Sequence, residues 1–269
     1  MAMRWIAGVL VGLCVVAGSG GANAAKCGGD FDTWLAAFKV EAVAAGVPQG
    51  TVNSALNGMT PSAAILKLDR NQHYFKQSFE TYRARRVNSS MLNAGFARLR
   101  ADAALLKRIE KRYGVPGSIV VAIWGLETGY GGYTGKTPAI RSLVTLAHDC
   151  RRADFFRNEL IAALKVIARG DLSVDSMVGG WAGEVGQTQF MPSSYEKYAV
   201  DFDGNGRRDL IHSSADALAS TANYLKGYGW KAGAPYGEGS ANFGVLNGWN
   251  KADVYKRTIV WFAAQLDGK

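Results

Sequence analysis

Cysteine, histidine and proline are scarce in this chain of 269 residues, and each scarcity excludes a class of protein. Three cysteines are too few for a disulfide-dense scaffold, and three histidines argue against a multi-histidine metal centre. Six prolines and 33 glycines without a period exclude a collagen-like or repeat array. With 48% hydrophobic and 20% charged residues, the chain is not disordered and can bury the core of one large or two modest domains.

The formal net charge of +9 favours an anionic partner: nucleic acid, anionic lipid or an anionic cell-surface polymer. The chain contains no G-x-S-x-G, H-E-x-x-H, C-x-x-C or Walker-type lysine motif, so the enzyme classes that depend on them are disfavoured.

Residues 1–25 have the pattern of a secretory signal peptide: Arg4, an apolar run over 5–17, and the A-x-A sequence at 22–24. Cleavage after this segment is predicted, with an uncleaved anchor as the alternative. Cys14 and Cys27 lack the small preceding residue of a lipoprotein signal, so the mature chain is expected to be soluble and without a membrane anchor.

Export places the two remaining cysteines, Cys27 and Cys150, in an oxidising compartment, where they could form one disulfide. The alternative is two unrelated thiols.

Apolar residues recur at helical spacing along most of the mature chain, as at Phe31, Trp34, Leu35 and Phe38. No convincing period of two appears, so the predicted class is mainly α. Any sheet should be small and lie near 200–212 or 228–245. We predict a helical N-terminal portion over 26–90 and a larger core portion over 91–269.

The segment 115–132 carries the best catalytic candidate. It is apolar on every side from Ile119 to Leu126, which predicts a buried helix, and Glu127 follows at its end before a glycine-rich turn. A carboxyl group delivered from an apolar helix into a cleft should have a raised pKa, as a general acid requires. The alternative is a solvated glutamate at a frayed helix end.

Five segments together carry a family resemblance. They read WGLETGYG at 124–131, WAGEVGQTQFMPSSY at 181–195, DFDGNG at 201–206, NYLK at 223–226 and WN at 249–250. This combination resembles the lytic murein transglycosylase B family. The resemblance implies a lysozyme-like catalytic core with an N-terminal helical portion and a small EF-hand-like loop or β insertion.

The same resemblance implies a reaction. Glu127 would protonate the oxygen of the β-1,4 bond between N-acetylmuramic acid and N-acetylglucosamine in peptidoglycan. It would then deprotonate the muramoyl 6-hydroxyl, which closes onto C1 to give a 1,6-anhydro end. No cofactor is implied, and Glu184 is not expected to act as a second carboxylate. The expected partner is the peptidoglycan glycan strand in the periplasm, not nucleic acid.

The resemblance also implies sugar-binding positions, which are Gln189, Phe190, Met191, Tyr224, Asn250 and Tyr255. Core packing is the alternative for Tyr224 and Tyr255, because both lie on helical stripes. Where several relatives have a serine, this chain has Gly180, which puts one substrate hydrogen bond in doubt. A hydrolytic muramidase and a non-catalytic peptidoglycan-binding protein are the rival functions.

The segment 201–212 has the ligand spacing of an EF-hand loop. The candidate calcium ligands are Asp201, Asp203, Asn205, the Arg207 carbonyl and Asp209. His212 stands where a bidentate glutamate is usual, so weak binding of a structural calcium ion is expected; the alternative is a polar turn that needs no metal. Ser213 and Asp216 then form a predicted capping box.

Overall fold

A computed structural model describes residues 25–71 and 77–268. The predicted signal peptide therefore lies, apart from Ala25, outside the described residues. Within them, no helix is both long enough and apolar enough to cross a membrane.

The described residues form thirteen helices and two short strands, which confirms the predicted helical class. In chain order these are α1 (Phe31–Ala44), α2 (Gln49–Leu56), α3 (Ala63–Arg70), α4 (Phe79–Arg86), α5 (Ser89–Ala101), α6 (Ala103–Tyr113), α7 (Gly117–Thr128), β1 (Thr137–Pro138), α8 (Ala139–His148), α9 (Ala153–Ala168), β2 (Val178–Gly179), α10 (Pro192–Tyr198), α11 (Ser214–Gly227), α12 (Ala241–Trp249) and α13 (Asp253–Leu266).

The predicted position of the sheet was wrong. Strands β1 and β2 pair antiparallel, with Thr137 opposite Gly179, and the described segments 200–212 and 228–245 contain no strand. The physical reason at 201–206 is local: side-chain oxygens of Asp201 accept hydrogen bonds from the Gly204 and Gly206 amides. Those amides close a turn and are not available to a neighbouring strand.

Helix α7 is the centre of the larger portion. It packs against α5, α6, α11 and α13, and every residue from Ser118 to Leu126 is buried. An apolar helix enclosed in this way holds its C-terminal end in a fixed position. That end carries Glu127.

The N-terminal helices pack onto the same core. Helix α2 contacts α9, α3 contacts α8, and α4 contacts α13. Cys27 and Cys150 are joined by a disulfide with a Cα–Cα distance of 5.1 Å, which ties the segment before α1 to the loop after α8. One continuous apolar cluster contains residues of both portions, such as Phe38 and Phe262, and the boundary near residue 90 stays a prediction.

Candidate active site

Glu127 lies in the last turn of α7, and the glycines around it shape that end of the helix. Gly129 adopts the left-handed conformation (φ 61°) and caps the helix. A Cβ on Gly125 would lie 2.9 Å from ring atoms of Tyr130, so only glycine lets that ring fold back against the helix. The Tyr130 hydroxyl donates a hydrogen bond to the Met91 carbonyl at 2.7 Å, which fixes the turn after Glu127 on α5.

Two side chains from the C-terminal helices hold the Glu127 carboxyl group. The Tyr255 hydroxyl donates to its Oε1 at 2.5 Å, and Trp249 Nε1 donates to the same oxygen at 2.9 Å. No described residue donates a hydrogen bond to Oε2, and Glu127 lines a cleft. The carboxyl group is therefore oriented through one oxygen and open to the cleft through the other.

Burial raises the pKa of Glu127, because removal from water disfavours the charged form. The hydrogen bonds from Tyr255 and Trp249 and the positive charge of Arg86 oppose this effect, and the negative charge of Glu184 adds to it. The net direction is upward, so the group holds its proton at higher pH than an ordinary glutamate. That is the property of a general acid.

The cleft above Glu127 has a volume of about 340 Å³. It is lined by Glu127, Glu184, Gln189, Phe190, Met191, Ser194, Tyr224, Trp249 and Asn250. The structure thus brings five of the six predicted sugar-binding residues together around the predicted acid. The sixth, Tyr255, is buried behind the carboxyl group, and its sugar-binding role stays a prediction.

Gln189 forms part of the cleft wall in an unusual conformation. Its φ is 51°, one of two positive values among the described non-glycine residues. Its Nε2 donates to the Thr134 carbonyl at 3.0 Å and the Gly186 carbonyl at 2.9 Å. Because the amide nitrogen is engaged by the protein, the amide oxygen is the atom left for a substrate.

An aromatic cluster forms another part of the cleft lining. The Tyr224 ring stacks on Tyr228 at 4.7 Å between centroids and meets Phe190 and Trp249 edge-on at 5.7 and 5.1 Å. The Tyr224 hydroxyl donates to the Gly248 carbonyl at 2.6 Å, which ties α11 to α12. Tyr224 therefore packs in the core and lines the cleft at once, so the two sequence interpretations of this residue are compatible.

Asn250 and Met191 extend the cleft toward a second cavity of about 440 Å³, which also includes Glu184 and Trp249. Asn250 Oδ1 accepts a hydrogen bond from the Ala252 amide at 2.9 Å, which fixes the turn before α13. Sequence reasoning assigned no role to Ser194 or Trp249. Trp249 could have been suspected because it precedes Asn250 in a matched motif.

The acidic loop differs from the predicted ligand set. Carboxylate oxygens of Asp201, Asp203 and Asp216 lie within 4.8 Å of one another. Asp209 is not in this group, because it accepts hydrogen bonds from the amide and the ring of His212. The Asn205 side chain accepts from the Arg207 amide. The structure thus brings two of the predicted ligands, Asp201 and Asp203, together with Asp216, which sequence reasoning missed, and the remaining members of the predicted ligand set stay predictions.

The predicted capping box is half present. The Ser213 hydroxyl accepts from the Asp216 amide at 3.2 Å, as a cap should. The Asp216 carboxylate turns instead to the amides of Phe202 and Asp209, at 2.7 and 2.9 Å. It therefore holds the two ends of the acidic loop on the first turn of α11.

Comparisons with known proteins place this site in a family. A family model described as the transglycosylase SLT domain matches residues 30–240. Membrane-bound lytic murein transglycosylase B of Escherichia coli (strain K12) is 43% identical over 129 residues, which cover 48% of this chain and 36% of that protein. The match thus spans about a third of that relative's length.

Solved structures are similar over nearly the whole chain. SltB3 from Pseudomonas aeruginosa, in complex with NAG-anhNAM-pentapeptide, has a TM-score of 0.83 and 33% identity, covering 90% of this chain and 80% of that one. Escherichia coli Slt35 in complex with calcium has a TM-score of 0.79 and 26% identity, covering 90% and 96%. The predicted lysozyme-like helical fold is confirmed by these matches, and the chain belongs to the lytic murein transglycosylase B family of transglycosylase SLT domain proteins.

Proposed function

We propose that this protein is a lytic transglycosylase, which cleaves the β-1,4 bond between N-acetylmuramic acid and N-acetylglucosamine of peptidoglycan and leaves 1,6-anhydro ends. The observation that carries the proposal is the state of Glu127. One oxygen accepts two hydrogen bonds, the other is open to the cleft, and burial raises the pKa of the group. Family membership supports the same reaction.

The reaction proceeds through one carboxyl group. With Oε1 engaged as an acceptor, the proton resides on Oε2 and passes to the oxygen of the glycosidic bond as the bond from C1 to that oxygen breaks. The resulting carboxylate takes the proton of the muramoyl 6-hydroxyl, whose oxygen bonds to C1. Glu127 ends protonated, no water is consumed, and the 6-hydroxyl's proximity lowers the barrier.

The cleft suits a polymer of N-acetylhexosamines. Its aromatic residues Phe190, Tyr224 and Trp249 offer apolar surface for sugar rings, and Gln189 and Glu184 in the same lining offer oxygens. The P. aeruginosa relative is in complex with NAG-anhNAM-pentapeptide, a ligand of this class. The net charge of +9 also favours an anionic wall polymer over a neutral partner.

We infer a periplasmic location. The disulfide between Cys27 and Cys150 fits an oxidising compartment, and the predicted signal peptide agrees with export.

We infer further that calcium, where it binds, stabilises the fold and takes no part in the reaction. Asp201, Asp203 and Asp216 offer oxygen atoms, the ligands that calcium prefers, close to one another. Asp201 and Asp203 belong to the loop before α11, Asp216 lies in the first turn of that helix, and none of the three lines the cleft. An Slt35 structure in complex with calcium supports the assignment.

The proposed reaction is tested by mass spectrometry of purified peptidoglycan after digestion. The wild type should release 1,6-anhydromuropeptides, and Glu127→Gln should release at least about 100-fold less, since it removes the proton donor. The glutamine keeps an oxygen for Tyr255 and Trp249, so its thermal unfolding should remain cooperative. Reducing ends would indicate a hydrolytic muramidase, and binding without products would indicate a non-catalytic wall-binding protein.

A further inference from the structure

Glu184 lines the same cleft as Glu127, and the proposed reaction assigns it no role. Its side chain lines both the main cleft and the adjoining cavity. Its Oε2 accepts a hydrogen bond from the Ala182 amide at 3.1 Å. Apart from its own backbone and that of Ala182, no described residue donates a hydrogen bond to the carboxylate.

The carboxylate is also without an ion-pair partner among the described residues. The positive charge of Arg152 acts to lower the pKa of Glu184, but the Arg152 guanidinium forms its ion pair with Oδ1 of Asp69. A glutamate retained only for the fold would be expected to have such a partner, because a partly buried charge is costly without one. Backbone amides therefore hold the Glu184 carboxylate, and its remaining acceptor positions are open to the cleft.

The position of the carboxylate depends on a glycine four residues earlier. The Gly180 amide donates to the Glu184 carbonyl at 2.7 Å, so the two backbones are joined in a tight turn. A Cβ on Gly180 would stand 2.4 Å from Glu184 Oε2 and 3.1 Å from Gln189 Oε1. The Glu184 carboxylate therefore occupies space that any side chain at position 180 would need.

Two acceptor oxygens thus lie close to the position of a Cβ on Gly180, one from a carboxylate and one from an amide whose nitrogen is already engaged, and both side chains line the cleft. Such a pair fits hydrogen-bond donors of the substrate, namely a sugar hydroxyl or an N-acetyl N–H. We propose that Glu184 is a substrate-binding residue that acts with Gln189, and that Gly180 is required because it leaves room for the Glu184 carboxylate.

This inference rests on the proposed function and is tested by steady-state kinetics on a soluble GlcNAc–MurNAc tetrasaccharide. Glu184→Ala should raise KM about tenfold, the usual cost of one hydrogen bond to a charged group, and leave kcat within about twofold. Glu184→Gln retains an oxygen acceptor but loses the charge, so it should raise KM by less than Glu184→Ala does. Glu110→Ala, which removes an exposed acid on α6, is the matched control and should change neither constant.

The dependence on Gly180 supplies a second test. Gly180→Ser should raise KM as Glu184→Ala does, because it displaces the carboxylate. In the Glu184→Ala background it should add no further loss. An unchanged KM for Glu184→Ala, or strictly additive effects of the two substitutions, would overturn the proposal.

Product analysis separates this role from two other failures. If the wild type releases reducing ends as well as anhydro ends and Glu184→Ala releases only anhydro ends, with KM unchanged, the carboxylate activates water and the binding role is overturned. Absence of anhydro product from the wild type would refute the proposed function itself. If Glu184→Ala lowers the melting temperature, calorimetry at a temperature well below that transition compares tetrasaccharide binding to Glu127→Gln with and without Glu184→Ala. Equal affinity of these two proteins would overturn the binding role. Equal affinity of Glu127→Gln and Glu127→Gln/Gly180→Ser would overturn the requirement for glycine.

Discussion

The hydroxyl of Tyr255 lies 2.5 Å from Oε1 of Glu127, although 128 residues separate the two in sequence. The tyrosine is buried on α13, and burial together with the neighbouring Glu127 charge raises its own pKa well above the ordinary value. It therefore remains a hydrogen-bond donor throughout the pH range in which Glu127 titrates. A fixed donor favours the ionised carboxylate and holds the group in one orientation.

Replacing Tyr255 by phenylalanine should move the basic limb of the kcat/KM profile to higher pH. Loss of the donor raises the pKa of Glu127, so the acid keeps its proton to higher pH. At neutral pH, kcat should fall about tenfold because the carboxyl group loses its orientation. Tyr113→Phe is the control, because the buried Tyr113 hydroxyl has no hydrogen-bond partner in the described part of the chain. A limb that stays in place in Tyr255→Phe would contradict the prediction.

The raised pKa of Glu127 makes a contribution to stability that depends on pH. A folded-state pKa above the unfolded value of about 4.3 stabilises the fold at low pH, and the contribution is lost as pH rises through the folded pKa. Glu127→Gln cannot ionise. Its free energy of unfolding should therefore gain on that of the wild type as pH rises from the unfolded pKa through the folded pKa, by about 1.4 kcal/mol for each unit of difference between the two. Thermal unfolding of both proteins at a series of pH values measures the gain. A constant gap across this range would show that Glu127 titrates normally.

Two glycine-to-alanine substitutions should have opposite effects on stability. Gly125→Ala places a Cβ 2.9 Å from the Tyr130 ring and should lower the free energy of unfolding by about 1–3 kcal/mol. Gly244→Ala, in α12 with no atom within 4 Å of the new Cβ, should raise it by about 0.4–1 kcal/mol. Thermal unfolding of both variants measures the difference. A loss of similar size in both would mean that the Tyr130 contact is not the cause.

Calcium should raise the melting temperature and leave the reaction unchanged. For an affinity in the millimolar range, 10 mM calcium should raise it by about 3 °C. Asp203→Asn should abolish that shift, because Asp203 is one of the three clustered carboxylates. Asp154→Asn, at an exposed aspartate on α9, is the control and should retain it. A calcium requirement for kcat would contradict a purely structural role.

The sequence was most informative where the deciding residues are neighbours in the chain. The apolar run before Glu127 sufficed to predict a buried helix that ends in a carboxyl group, because helix burial follows from local pattern. The matched motifs likewise predicted Gln189, Phe190 and Asn250, which all line the cleft.

Relationships between distant segments could not be predicted in this way. The Asp216 carboxylate accepts hydrogen bonds from amides of the loop before its helix. That arrangement depends on how α11 packs against the loop, which no local sequence pattern encodes. Trp249 and Tyr255 meet Glu127 for the same reason. The position of the sheet was predicted wrongly because its two strands, at 137–138 and 178–179, are far apart in sequence and each is too short to show a period of two.

The long separations within the site bear on the order in which the protein becomes competent as its chain is made. Trp249 and Tyr255 follow Glu127 by 122 and 128 residues, and both lie near the C-terminal end of the chain. A nascent or partly translocated chain that already contains the acid still lacks both side chains that orient it. The catalytic carboxyl group therefore acquires its fixed orientation only when α12 and α13 have been made and have packed against α7 and α11.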